Sequence, residues 1–266
     1  MRIAIIGCGN MGSALAQLLS SSHELFLYDH NREKVHFLEE KGYGKSCNNV
    51  KEIALHADLI LLAVKPQNLN QVAHEISKGI KPHQLVVSIL AGTPLSTLRH
   101  HFESAHIVRM MPNLALICGE GVIGLVHDEK TSSEEKKALS SAFEALGKVY
   151  WMAEDKMDAF SSLTSSGPAF FLVMIEAMID AAIEMGFSPK DAKTLLYQMM
   201  RGSITLLEKT DKHPAELKWQ ITSPSGMTIA GLKCLEDKGV RSGIIHTFLA
   251  AYERALALSS SWETRT

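Results

Sequence analysis

The chain has 266 residues, 46% of them hydrophobic and 21% charged, with a formal net charge of −2 at pH 7. That length suggests one large or two modest domains, and the near-neutral balance lacks the basic surplus of a nucleic-acid binder. Cys8, Cys47, Cys118 and Cys234 are too scattered for metal-ligand or thioredoxin-like spacing and read as free thiols in a reducing cytosol.

The N-terminus carries one arginine and a short apolar run ended by Gly7, which is no signal peptide. Runs rich in Ile, Val and Leu at 2–6, 24–28, 58–64, 84–89, 106–110, 121–126 and 148–151 are predicted strands, short and apolar as strands buried on both faces should be. The run at 59–64 is too short to span a bilayer, so a soluble cytoplasmic protein is expected. Helical patterns at 13–19, 32–41, 67–77 and 133–146 fall between the strands. That alternation predicts a Rossmann-type, doubly wound, mostly parallel α/β sheet over 1–153.

Beyond residue 152 the strand signals stop. "PAFFLVMIEAMIDAAIEMG" (168–186) predicts a helix apolar nearly all round, with Pro168 in its first turn and Gly186 as its stop. In so small a domain such a helix is expected to pack against a second subunit as well. "SPKDAKTLLYQMMRGSITLLE" follows, with Ser188 as N-cap, then "MTIAGLKCLEDKG" and "RSGIIHTFLAAYERALALS". Residues 154–266 are thus expected to be an all-helical domain for dimerisation and substrate binding. No histidine reaches metal-ligand spacing, and no metal is expected.

Gly7, Gly9 and Gly12 make G-x-G-x-x-G between a predicted strand and a predicted helix. The glycines suit a tight turn, backbone approach to a pyrophosphate and close helix–strand packing. The amides of Asn10, Met11 and Gly12 would face the phosphates, where the helix dipole favours negative charge. The bland alternative is a glycine corner without a ligand. Asp29, 17 residues past Gly12, is placed to accept from a ribose 2′-hydroxyl, or to cap the next helix, or both. His30, Asn31 and Arg32 follow, and a polar or cationic group there can hold a 2′-phosphate. NAD and NADP both remain open.

Four further stretches carry a resemblance. "AVKPQ" (63–67), "VRMMPN" (108–113), "SSGPAFF" (165–171) and "HPAELKWQITSPSGMTIAGLKCLE" (213–236) together resemble pyrroline-5-carboxylate reductases, over residues 1 to about 258. The resemblance implies a Rossmann domain, a helical domain interlocked in a homodimer, and possible assembly of dimers. It also implies hydride transfer from NAD(P)H to the C5=N carbon of 1-pyrroline-5-carboxylate, giving proline.

By resemblance Ala63, Val64, Lys65 and Pro66 flank the cofactor, Met111, Pro112 and Asn113 border the nicotinamide, and Asn49 is a weaker match to an adenosine contact. Lys65 could instead be a solvated strand-end lysine. Loop 223–228 offers backbone N–H groups to a carboxylate. Ser166, Ser223, Ser225, Gly226, Met227 and Thr228 are the implied substrate contacts, with the Thr228 hydroxyl meeting the ring nitrogen as the one catalytic group. The alternative is a plain capping turn in which Ser223 or Ser225 caps the helix.

Several positions depart from the family pattern. Leu114 and Ala115 stand where Thr-Pro is usual, Ser165 and Ser225 where glycines are usual, and Trp219 where an acidic or amide side chain is common. These leave room for a reductase of a related cyclic imine or ketoacid, or for an inactive NAD(P)-binding regulator.

Overall fold

The computed structural model describes residues 1–82 and 84–263. The first part runs β1 (Arg2–Ile6), α1 (Asn10–Leu19), β2 (Glu24–Tyr28), α2 (Arg32–Glu40), β3 (Lys45–Ser46), α3 (Val50–His56), β4 (Leu59–Leu62), α4 (Leu69–Ile76), β5 (Leu85–Ser88) and α5 (Leu95–His101). It continues through β6 (His106–Met111), β7 (Gly121–His127), α6 (Ser133–Ala142) and β8 (Gly147–Trp151). One sheet holds all eight strands in the order β3-β2-β1-β4-β5-β6-β7-β8. Neighbours are parallel except at β6–β7, where the direction reverses.

The central strands β1, β4, β5 and β6 are apolar and buried nearly throughout because both faces of the sheet are covered there. Alternate residues serve opposite layers. Ala4, Ile6, Ile60, Leu62 and Val86 join one core, and Ile3, Ile5, Leu59, Leu61 and Val87 join the other. The chain leaves β1 toward β2 and returns past it to β4, so β1 stands at a switch point. Ile6 is in register with both Tyr28 and Leu62, and ligands of such sheets bind beyond the strand ends at that place.

Several expected boundaries shift. The first helix starts at Asn10, directly from the glycine turn, and not at residue 13. The helix expected at 67–77 is a 3₁₀ turn, Pro66–Asn68, followed by α4. The one expected at 133–146 ends at Ala142, with a 3₁₀ turn at Glu144–Leu146. At its start a reciprocal cap forms, Glu135 N donating to Ser132 Oγ and Ser132 N to Glu135 Oε2. Strand β3 and helices α3 and α5 have no counterpart in the sequence reading.

After β8 come α7 (Met157–Phe160), a π-helical turn (Ser161–Ser166), α8 (Gly167–Glu184), α9 (Pro189–Thr210), α10 (Pro214–Gln220), α11 (Met227–Asp237) and α12 (Val240–Glu263). Among the described residues, those of 1–165 with 252–263 form one compact unit, and residues 166–251 form another. Ser188 caps α9, accepting from Asp191 N at 3.2 Å. Only Gly167 and Ala182 of α8 are buried, and Phe171, Leu172 and Val173 lie exposed. The helical run Glu154–Glu184 contains an 18-residue stretch with a mean hydropathy of 1.6 and is long and apolar enough to cross a membrane by length and composition. The short run at 59–64 had given no hint of this.

Within the first unit an ion pair ties three segments together. Arg109, on β6 and 6% exposed, donates from Nη1 to Glu154 Oε1 at 2.6 Å. The same oxygen accepts from Leu95 N at the start of α5 at 2.7 Å. Removing the guanidinium strands a half-buried carboxylate, a loss of about 2–3 kcal/mol, because Glu154 keeps some solvent. Urea unfolding of Arg109→Ala should show that loss, and an unchanged midpoint would make the pair energetically idle.

Candidate active site

The turn between β1 and α1 has no room for side chains at two of its three glycines. Gly7 takes φ +105°, and a Cβ there would lie 2.6 Å from the Ala63 carbonyl oxygen. A Cβ on Gly12 would lie 1.9 Å from the Gly7 carbonyl oxygen. Gly9 differs, because an added Cβ would meet nothing within 4 Å. Its bareness leaves space on the outer side of the turn, where a ligand backbone can approach. Gly9 is also the N-cap of α1, with no side-chain cap and no acidic residue in the first turn. The helix therefore presents uncapped amides and an uncompensated positive dipole end.

A cleft of about 320 Å³ opens at this place. Gly7, Gly9, Asp29, His30, Asn31, Ala63, Val64 and Lys65, all singled out in the sequence, line it together. Asn10 lines an adjoining hollow that shares Gly9 and Lys34 with the cleft. Met11 is half-buried beside it on α1, and Gly12 lies beneath. Pro66 opens the 3₁₀ turn after Lys65. Asn49 is not among the lining residues. Its side chain caps α3, accepting from Glu52 N at 2.8 Å.

Three lining residues had escaped the sequence reading: Tyr28, Lys34 and Asn68. Tyr28 simply ends β2. Lys34 sits in the first turn of α2, two residues beyond the flagged arginine, and Asn68 ends the turn that Pro66 begins. Arg32 is used otherwise. Its guanidinium donates to the Cys47 and Asn48 carbonyls and lies 5.4 Å from the Tyr28 ring centre. Lys34 and Lys65 are therefore the cations facing the cleft.

Asp29 does not cap α2. Asn31 does, accepting from Glu33 N at 3.0 Å. Asp29 instead braces the cleft, its Oδ2 accepting from Cys8 N at 2.7 Å and its Oδ1 from Asn31 N at 2.8 Å. Each carboxylate oxygen retains a second acceptor site for a hydroxyl. Burial, with the Asp29 charge second, pushes the Cys8 thiol up to about 12. A thiol so protonated is a small apolar filler under the turn.

Met111 ends β6, and Pro112 and Asn113 follow it. Asn113, 7% exposed, donates from Nδ2 to the Thr164 carbonyl and accepts at Oδ1 from Val122 N, both at 3.0 Å. Ser165 donates from Oγ to the Pro112 carbonyl at 3.3 Å. Leu114 and Ala115 open an ordered 3₁₀ helix, Leu114–Cys118, with Leu114 exposed. Ser166 closes the π-helical turn and stands as the cap residue of α8.

In the helical unit the loop between α10 and α11 has a defined shape. Ser225 takes φ +56°, a left-handed conformation uncommon for a residue with a side chain. Gly226, not a serine, is the N-cap of α11, and no side chain caps that helix. A Cβ on Gly226 would come 2.3 Å from Ser223 Oγ. Met227 is almost fully exposed, Thr228 is half-buried, and Ser223 is exposed. The uncapped first turn, with two hydroxyls beside it, can receive a carboxylate. Trp219 lies exposed on α10, under the Lys218 ammonium. Among the described residues no cluster of three or more His, Cys, Asp or Glu could hold a metal ion.

Known proteins agree with this architecture. Residues 154–258 match the family model described as pyrroline-5-carboxylate reductase dimerisation, and residues 2–92 match that of NADP oxidoreductase, coenzyme F420-dependent. The pyrroline-5-carboxylate reductase of Methanosarcina acetivorans is 37% identical, over 97% of each chain. That of Synechocystis is 33% identical, over 97% of this chain and 98% of its own. The crystal structure of Plasmodium falciparum pyrroline carboxylate reductase with NADP bound superposes with a TM-score of 0.86 at 28% identity, covering 97% of this chain and 98% of that one.

The glycines make a paired prediction. Gly9→Ala should fold normally yet weaken NADPH binding about tenfold or more, the effect of ~1.4 kcal/mol. Gly12→Ala should lose about 3 kcal/mol or more of stability through its backbone clash. Thermal melts beside NADPH fluorescence titrations check both, and tight binding by Gly9→Ala would remove the pyrophosphate from this turn.

Proposed function

Since the chain belongs to the pyrroline-5-carboxylate reductase family, we propose that it reduces 1-pyrroline-5-carboxylate to L-proline with NAD(P)H. The observation that carries this reading is the presence in one chain of a Rossmann cleft, bare at Gly9, and of an uncapped helix start beside Ser223 and Thr228. Residues 1–153 serve as the dinucleotide-binding part and 154–266 as the part for dimerisation and substrate binding. The exposed apolar residues of α8 support burial against a second copy, in preference to lipid, because Glu176 and Asp180 interrupt the run. Further assembly of dimers and a cytoplasmic location complete the reading.

The bare turn and the cations beside it fit a dinucleotide. When bound, the reduced nicotinamide supplies the hydride that adds to C5 of the imine. The amides of Asn10, Met11 and Gly12 hold the pyrophosphate, with Lys34 and Lys65 adding positive charge. Asp29, His30 and Asn31 shape the seat of the ribose. Ala63, Val64 and Pro66 would flank the cofactor, and Met111, Pro112 and Asn113 would border its nicotinamide. Asn49 stays a minor candidate for the adenosine.

On the substrate, the amides of Met227 and Thr228, with the hydroxyls of Ser223, Ser225 and Ser166, receive the carboxylate, and Gly226 allows its close approach. The Thr228 hydroxyl meets the ring nitrogen. Negative charge would otherwise build there as the C=N π pair moves onto nitrogen during hydride addition. The imine arrives protonated or takes its proton from water, so no strong base is required.

Steady-state oxidation of NADPH and NADH with 1-pyrroline-5-carboxylate tests the assignment. Robust turnover is expected. Turnover only with another cyclic imine or a ketoacid would move the substrate, and cofactor binding without turnover would make the chain a regulator. Thr228→Ala should lower kcat/KM by ~10–1000-fold with little change in cofactor affinity, the range for one lost transition-state donor. Asp29→Ser should raise the NADPH to NADH preference by removing a charge near the 2′ position. A fixed ratio would confine Asp29 to bracing the turn.

A further inference from the structure

The loop after β6 and the turn before α8 are joined by hydrogen bonds that run in opposite directions. Asn113 Nδ2 donates from the loop to the Thr164 carbonyl, and Ser165 Oγ donates from the turn to the Pro112 carbonyl. The other end of the Asn113 amide is anchored on β7 through Val122 N. Both ends of this buried side chain are engaged inside the chain, which fixes the plane and direction of the Asn113 carboxamide. The receiving turn is π-helical, a wide form that occurs mostly as single turns and frequently at functional sites.

Two departures from the family pattern meet here. By the resemblance, Thr-Pro would follow Asn113 and stiffen the loop and glycine would stand at 165; this chain has Leu114, Ala115 and Ser165 there. The Ser165 hydroxyl is the one bonded back to Pro112.

We propose that Asn113 and Ser165 form a reciprocal latch that positions residues 111–113 for contact with the nicotinamide, with Ser165 replacing the stiffness that Leu114-Ala115 lack. The proposal rests on the reading that this loop borders the nicotinamide. Both are positioning residues. They set where Met111 and Pro112 stand and act on the ring through them. The latch concerns only that end of the cofactor, so the adenosine end should not sense its loss.

The test compares two ligands by titration, without substrate. NADPH reaches the loop, and 2′-phospho-ADP-ribose, which lacks the nicotinamide, does not. Ser165→Ala should weaken NADPH about 3–10-fold, the range for one lost hydrogen bond, and leave 2′-phospho-ADP-ribose unchanged. Ser165→Thr should restore affinity, as should Leu114→Thr with Ala115→Pro in the Ser165→Ala background. Ala115 lies in the first turn of its 3₁₀ helix, where proline is tolerated. Asn113→Ala should show the same selective loss, and if it does not fold, Ser165→Ala decides alone.

Equal weakening of both ligands, or of neither, overturns the latch. Failure of Ser165→Thr to rescue removes the hydroxyl's role, and failure of the Leu114/Ala115 pair removes the compensation. Turnover of 1-pyrroline-5-carboxylate by the unaltered enzyme, measured beside these titrations, judges the functional assignment separately.

Discussion

Close approach of backbone to backbone at the end of β1 is the constraint from which the rest of the first unit follows. Gly12 lies against the Gly7 carbonyl, and Gly7 lies against the chain at Ala63 and Val64. Those contacts bring α1, β1 and the end of β4 together at one point. Any side chain at either glycine would push the helix start away from the strand ends. The cleft exists because they cannot be separated, and Gly9 alone faces outward with space beside it.

Around that point the chain distributes charge economically. The Asp29 carboxylate binds amides from the glycine turn and from its own loop, so one side chain fixes two walls of the cleft. The Arg32 guanidinium is taken up by two carbonyls on the far side of β2. Lys34 and Lys65 are left to face the cleft. In the helical unit the same physics recurs on a smaller scale: a glycine N-cap, no side-chain cap, and free amides beside hydroxyls. Both places leave the start of a helix uncapped and able to receive negative charge.

Much of the fold was legible because burial on both faces writes itself into sequence as unbroken apolar runs. β1 and β2 begin and end where their patterns do. β3 was invisible, since two polar residues pairing through backbone alone leave no periodic signal. The helical run from Glu154 was underread because its length comes from α7, a π-helical turn and α8 joined without a break, and Pro168 looked like a beginning. At the cleft, spacing from the glycines revealed Asp29, and the resemblance supplied the residues from Ala63 to Pro66. Tyr28, Lys34 and Asn68 could not be found that way, for they meet only where strands distant in sequence become neighbours. Arg32 misled for the same reason, its partners lying 15 and 16 residues along the chain.

The reversal of β7 against β6 has a chemical outcome as well as a topological one. Because β7 runs opposite to β6, its first residues extend past the last register pair, Met111 with Gly124, and the amide of Val122 has no β6 strand residue opposite it. Val122 supplies that amide hydrogen to Asn113. The oxygen of that carboxamide must therefore look toward β7, and its NH₂ is left to look toward Thr164. The overhang of β7 past β6 thereby dictates the polarity of a side chain in the loop after β6.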